Sequence, residues 1–151
     1  MENWSRQIKS VIIQIEKSLK DNKETIRQAN IIDIKNNNGF NIDFNVIDNI
    51  FSNIEKETIL YGNVSLSQKD NENKLIYDKE ILDCGNVVVI NDGNPYIIIE
   101  MALRNIMAGN TAIFSNNGFM FGTNQLIIKI IQSVLEQFNI SKYLVQIYVS
   151  E

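Results

Sequence analysis

The 151-residue chain contains no histidine, one cysteine and one proline. Without histidine, the commonest general base and the commonest metal ligand are gone, which excludes a serine-histidine hydrolase and a histidine zinc site. A lone cysteine, Cys84, rules out an internal disulfide framework and makes the cytoplasm the expected setting. Long apolar runs are missing too: Glu100, Arg104 and Lys129 interrupt the best candidates before the roughly 18 residues that a membrane span needs. The opening Met-Glu-Asn-Trp-Ser-Arg carries an acid and lacks the apolar core of a secretory signal. Basic residues are outnumbered and scattered, giving a formal charge of -4 and a pI near 4.9, so no nucleic-acid partner is expected. No cluster with metal-ligand spacing stands out, and no metal is expected.

What remains is the make-up of an ordinary globular protein, 44% hydrophobic and 21% charged, with a length that suits one domain. Within it, residues 1–61 read as a helical segment that packs on a sheet, and residues 74–151 as an α/β half of nucleotide-binding type. Apolar residues at Ile8, Val11, Ile12, Ile15 and Leu19 repeat at the interval of a helix with one buried face. Asp21 precedes Glu24 by the spacing of a capping box, which predicts a second helix carrying Ile26, Ala29 and Ile32. Asn36-Asn37-Asn38-Gly39 should end it. After Asp43, a third helix is predicted from Val46, Ile47, Ile50, Phe51 and Ile54. Gly62 to Asn73 is polar and reads as loop, and Leu75 to Leu82 alternates as a strand with one wet face.

The stretch from Gly85 to Phe114 organises the rest. Val87 to Ile90 is an unbroken β-branched run, the pattern of a parallel strand buried on both faces. Asp92-Gly93-Asn94-Pro95 then turns the chain, with Asn94 suited to an N-cap and Pro95 to a first helical position. Gly109 should stop the helix, and Thr111 to Phe114 is apolar again, which predicts a parallel pair with a right-handed crossover. A helix follows, capped by Thr123 and striped by Leu126, Ile127, Ile130, Ile131, Val134, Leu135 and Phe138, and Leu144 to Val149 makes another strand. The fold class is therefore α/β, with N-terminal helices, a strand and a βαβαβ parallel sheet.

Open parallel sheets take ligands beyond the carboxyl ends of their strands. In this chain those ends are Asn91 to Asn94 and Ser115 to Gly118, so the candidate cofactor-binding residues are Asn91, Asp92, Asn94, Ser115, Asn116 and Asn117. Short polar side chains and glycines also suit any turn, and both readings stand at this point. There is no G-x-G-x-x-G after any strand.

Leu75 to Asn91, the Asn94-Pro95 turn, Ala108-Gly109-Asn110-Thr111-Ala112-Ile113, Thr123-Asn124 with Leu126-Ile127, and Val145-Gln146 resemble gamma-glutamyl phosphate reductase, or glutamate-5-semialdehyde dehydrogenase, of the aldehyde dehydrogenase superfamily. The resemblance reaches back to Ile8–Leu19 and to Ile26–Ile34 with Ala29-Asn30 and Asp33, covering nearly this whole chain but only the first part of the family's length. It implies a partial Rossmann-like domain that elsewhere holds NADP(H) for reduction of an acyl phosphate in proline biosynthesis. It also implies that the nucleophilic cysteine belongs to a separate domain; Cys84, at a turn with nothing basic nearby in sequence, reads as a packing residue. Where the family carries a basic residue after the second parallel strand, this chain has Ser115, and Asn94 and Tyr96 replace the arginine and asparagine that flank the turn proline. NADP affinity is therefore expected to be weakened or lost. The expectation is a truncated relative without catalysis of its own; an interaction or oligomerisation module and one chain of a split oxidoreductase are the alternatives, with a second copy or a complementing chain as partner.

Overall fold

A computed structural model of the chain describes residues 2–67 and 85–149. Three helices come first, α1 (Glu2–Asp21), α2 (Lys23–Lys35) and α3 (Phe44–Ser67). They are followed by β1 (Val87–Asn91), α4 (Pro95–Ala108), β2 (Thr111–Asn116), α5 (Phe121–Gln137), a 3-10 turn at Lys142–Leu144 and β3 (Val145–Val149). The three strands are parallel in the order β1-β2-β3, with Val88 opposite Ala112 and Ala112 opposite Val145. The predicted βαβαβ unit is thus present. The expected strand at Leu75 to Leu82, the polar segment beyond Ser67 and Cys84 lie outside the described residues. No described helix is long and apolar enough to cross a membrane.

An amphipathic α1 forms because its apolar residues return every three or four positions, and all five named from the spacing are buried. They meet α5 and α3, so α4 and α5 are sandwiched between the sheet and the N-terminal helices. That explains why α5 buries Ile128 as well as Ile127, Ile130, Ile131, Val134 and Leu135 of the predicted stripe, while Leu126 and, just past the helix end, Phe138 are half-buried. Between α3 and α4, Arg104 grips Glu57 with both guanidinium arms and lies 3.8 Å from Glu100. That bond to the Glu57 carboxylate holds the Arg104 guanidinium's pKa above its ordinary value.

Four local expectations are corrected. No capping box opens α2: Asp21 is the last residue of α1, and Asn22 spends its Nδ2 on the Ser18 carbonyl, 2.8 Å away, closing α1 instead. On α2 the buried residues are Ile26, Asn30 and Asp33, whereas Ile32 is 59% exposed. Polar partners across the fold, described below, hold that face inward. Helix α3 continues through Gly62 to Ser67, because one internal glycine costs only about 1 kcal/mol against a long run of helical bonds. Finally, β1 is not buried on both faces: Val87 and Val89 are 63% and 61% exposed. Crossovers of one hand in the order β1-β2-β3 put both connecting helices on one side of the sheet, and among the described residues no helix covers the other.

The predicted ends of α4 are present. Asn94 Oδ1 accepts from Tyr96 N at 2.9 Å, and Pro95 occupies the first turn. Gly109 closes the helix at φ 74°, where its N–H and that of Asn110 reach back to Ile106 and Asn105 carbonyls. Gly109→Ala is expected to lower stability by about 1–2 kcal/mol, the cost of a left-handed L-residue, read as a fall in the urea midpoint at unchanged m-value.

Candidate functional site

At the carboxyl ends of the strands three connections meet: Asn36 to Asp43 after α2, Asp92 to Asn94 after β1, and Asn117 to Met120 after β2. Each is built from residues that can bend the chain and then satisfy its backbone. Asp92 Oδ1 accepts from Asn94 N at 2.7 Å, Asn116 Oδ1 from Gly118 N at 2.9 Å and Asn117 Oδ1 from Phe119 N at 3.3 Å. These are turns in which a side chain two residues back replaces a backbone acceptor. Of the six candidate residues, Asp92, Asn94, Asn116 and Asn117 therefore use a side-chain oxygen within their own loops. Asn91 and Ser115 sit side by side in register with Tyr148, on the open face of the sheet.

The loops are stitched to one another by residues that the turn chemistry alone did not single out. Asn124, fully buried in the first turns of α5, donates its Nδ2 to Gly93 O at 2.8 Å and to Phe119 O at 3.3 Å. Those two carbonyls orient the amide, leaving Oδ1 without a hydrogen-bond partner. Gly93 permits the approach: a Cβ there would lie 3.0 Å from both the Cβ and the carbonyl oxygen of Phe119. Asn38 donates to Gly118 O at 2.7 Å and accepts at its own carbonyl from Met120 N at 2.8 Å. Phe40 lies between Tyr96 and Phe119, with ring centroids 5.7 and 6.0 Å away, and the Tyr96 hydroxyl accepts from Asp43 N.

A carboxylate completes the frame. Asp33, 7% exposed on α2, accepts from Thr123 N at 2.8 Å and from Thr123 Oγ1 at 2.5 Å. Thr123 was expected to cap α5, but that helix starts at Phe121, with Met120 before it at φ 53° and offering no side-chain bond. The cap's work is done instead by Asp33, 90 residues away in sequence, whose charge also suits the positive end of the helix. Beside it, Asn30 donates to Phe40 O and accepts from Ile42 N, holding the Asn36 to Asp43 connection against α2. The visible signal for both was a pair of polar residues interrupting an apolar helix face.

Chemically, this end of the sheet offers amides, hydroxyls, aromatic rings and the carboxylates of Asp33, Asp43 and Asp92, and neither of the loops after β1 and β2 contains lysine or arginine. Among the described residues no group of three or more His, Cys, Asp or Glu could hold a metal ion. A separate cleft of about 260 Å³ lies among α1, α2 and α3, lined by Glu16, Leu19, Lys20 and Phe44 among others. There, burial pushes the Glu16 carboxyl up from its ordinary value, helped by a bond to Glu55 and opposed by Lys20 at 3.5 Å. The folded state thus binds that proton more tightly than the unfolded chain does. Stability should fall as pH rises from the ordinary glutamate pKa through the raised one, and Glu16→Gln should flatten that slope in urea titrations across pH 4 to 7.

No family model matches the sequence. The gamma-glutamyl phosphate reductase of Petrotoga mobilis is 23% identical over 149 residues, which span 90% of this chain and 36% of that protein. The solved gamma-glutamyl phosphate reductase of Thermotoga maritima superposes with a TM-score of 0.62 at 15% identity, covering 97% of this chain and 40% of its own. That of Saccharomyces cerevisiae does so at 0.58 and 16%, covering 95% and 41%. The chain has the fold of part of gamma-glutamyl phosphate reductase. It spans between 36% and 41% of the length of these reductases. Asn30, Asp33, Gly109, Thr123 and Asn124, all among the residues on which the resemblance to the reductases was drawn, are here the ones that end helices and stitch the connections together.

Proposed function

We propose that this chain is a scaffold related to the cofactor-side part of gamma-glutamyl phosphate reductase, without reductase activity of its own. The observation that carries this lies at the carboxyl ends of the strands, where Asp92, Asn94, Asn116 and Asn117 spend a side-chain oxygen on the chain's own backbone. In support, the chain has no histidine and one cysteine, and neither loop after β1 and β2 supplies a cation for a cofactor phosphate. NADP, if held, would rest on Asn91, Asp92, Asn94, Ser115, Asn116 and Asn117, and its affinity is weak because four of these already accept bonds from their own loops.

Purified protein supplied with NADPH and an acyl phosphate is expected to consume no cofactor; steady oxidation of NADPH would overturn the proposal. Binding is read separately, by thermal shift. A ligand present at about 100 times its dissociation constant adds roughly 2.7 kcal/mol, so a bound cofactor would be plain. A second reading, an interaction module that serves a further copy or a complementing chain, is favoured by the open face of the sheet. A melting temperature unmoved by NADPH, together with a mass above that of the monomer, would select it.

A further inference from the structure

We infer that Asn117 is a site of spontaneous modification, at which the folded chain deamidates through a cyclic imide formed with the backbone nitrogen of Gly118. The tetrapeptide Asn-Asn-Gly-Phe occurs twice, at Asn37 to Phe40 and at Asn116 to Phe119. Asparagine before glycine is the pairing most open to this reaction, since no Cβ on the following residue hinders the approach. The glycine nitrogen attacks the asparagine Cγ, and ammonia leaves. Water then opens the imide at either carbonyl, giving aspartate or isoaspartate, with no oxidant or reductant required. Identical local sequences should react alike in an unfolded chain, so a difference between the two copies is made by the fold.

The two copies touch each other but are held very differently. Asn38 donates its backbone N–H to Asp33 O at 2.8 Å, accepts at its carbonyl from Met120 N at 2.8 Å and donates Nδ2 to Gly118 O at 2.7 Å. The amide that would leave and the backbone on both sides of it are therefore fixed. Gly39 is hemmed in as well: a Cβ there would lie 2.7 Å from Cγ of the fully buried Met120, so the glycine cannot turn its nitrogen onto Asn38 Cγ without displacing that side chain. Asn117, by contrast, is exposed, and its side chain is held by one long bond, from Phe119 N to Oδ1 at 3.3 Å. A Cβ added at Gly118 would meet nothing within 4 Å, which leaves the backbone room to move. One contact restrains the attack. Gly118 N–H donates to Asn116 Oδ1 at 2.9 Å, and the nitrogen must give up this bond and its proton before it reacts. Asn116 is thus the brake on its neighbour. The product adds a carboxylate to a loop without lysine or arginine, and isoaspartate also lengthens the backbone between β2 and α5, so that Gly118 O and the Phe119 ring would no longer meet Asn38 and Phe40.

Peptide mapping by mass spectrometry tests this on the full chain incubated at mildly alkaline pH, beside a sample unfolded in guanidinium chloride. Each site is read as its native rate divided by its unfolded rate, from the mass gained when an amide becomes an acid; Asp92-Gly93, which can isomerise, gains none. Folding should suppress the reaction several-fold more strongly at Asn38 than at Asn117. Asn116→Ala should raise the native rate at Asn117 several-fold, with no comparable rise at Asn38. Asn117→Gln should abolish the earliest acidic species seen on ion exchange, because glutamine must close a larger and slower-forming ring. Equal or stronger suppression at Asn117, no native reaction there while the unfolded sample reacts, an unaltered rate in folded Asn116→Ala, or an undiminished acidic species in Asn117→Gln would each overturn the inference. Circular dichroism checks folding, and Asn117→Gln, at an exposed side chain, serves if Asn116→Ala does not fold.

Discussion

Replacing Phe114 by alanine should destabilise the chain by about 3–5 kcal/mol, the usual range for removing a buried phenylalanine. Phe114 is fully buried in β2, the central strand, opposite Ile90 on one side and Ile147 on the other. It belongs to the same core as Ala102, Ile106, Ile127 and Val134 of the two covering helices. A cavity there lies beneath all three strands, and neighbours held by parallel pairing have little freedom to collapse into it. Since domains of this size are commonly stable by only 5–15 kcal/mol, the variant should show a much lower urea midpoint and early loss of near-ultraviolet circular dichroism. Phe119→Ala, at a ring 36% exposed in a loop, should cost far less. Equal losses in the two variants would contradict the placement of the core.

The second large effect is expected at Asp33. Its carboxylate receives both the N–H and the hydroxyl of Thr123 in a buried setting, and bonds to a charged group contribute about 1.5–3 kcal/mol. Asp33→Ala leaves both donors unsatisfied and unties α2 from the start of α5, so a loss of about 2–4 kcal/mol is expected. Asp33→Asn keeps an oxygen acceptor without the charge and should recover part of it. Hydrogen exchange would separate this from a general loss of stability: amides at Met120 to Asn124 should lose protection first. If exchange instead accelerates evenly along the chain, Asp33 is not the cap of α5.

How much could be read beforehand differs from one element to another. The helix face Ile8 to Leu19 and the termini Asn94-Pro95 and Gly109 were legible because each rests on neighbours within four residues: periodic burial, a side-chain oxygen two residues from an N–H, a left-handed glycine. Asp21 and Thr123 were misassigned by the same reasoning. Their cap spacing is correct locally, but Asn22 had a nearer carbonyl in Ser18, and α5 had a better acceptor in Asp33. At the candidate site, the asparagines of the loops were visible as polar residues. Their choice between bonding a ligand and bonding their own backbone was not visible, since the same atoms serve either end.

By itself the order of residues determined the three N-terminal helices apart from where the third ends, the βαβαβ order that follows with its parallel strands, and the absence of histidine chemistry, because these follow from local spacing, from connection length and from composition. Only the tertiary structure decided that Asp33 holds the start of a helix 90 residues on, that Phe119 packs where Gly93 leaves room, and that one side of the β-branched strand Val87–Asn91 faces outward. Each of these depends on which surfaces meet, and a β-branched run reads alike whether one of its faces is covered or both.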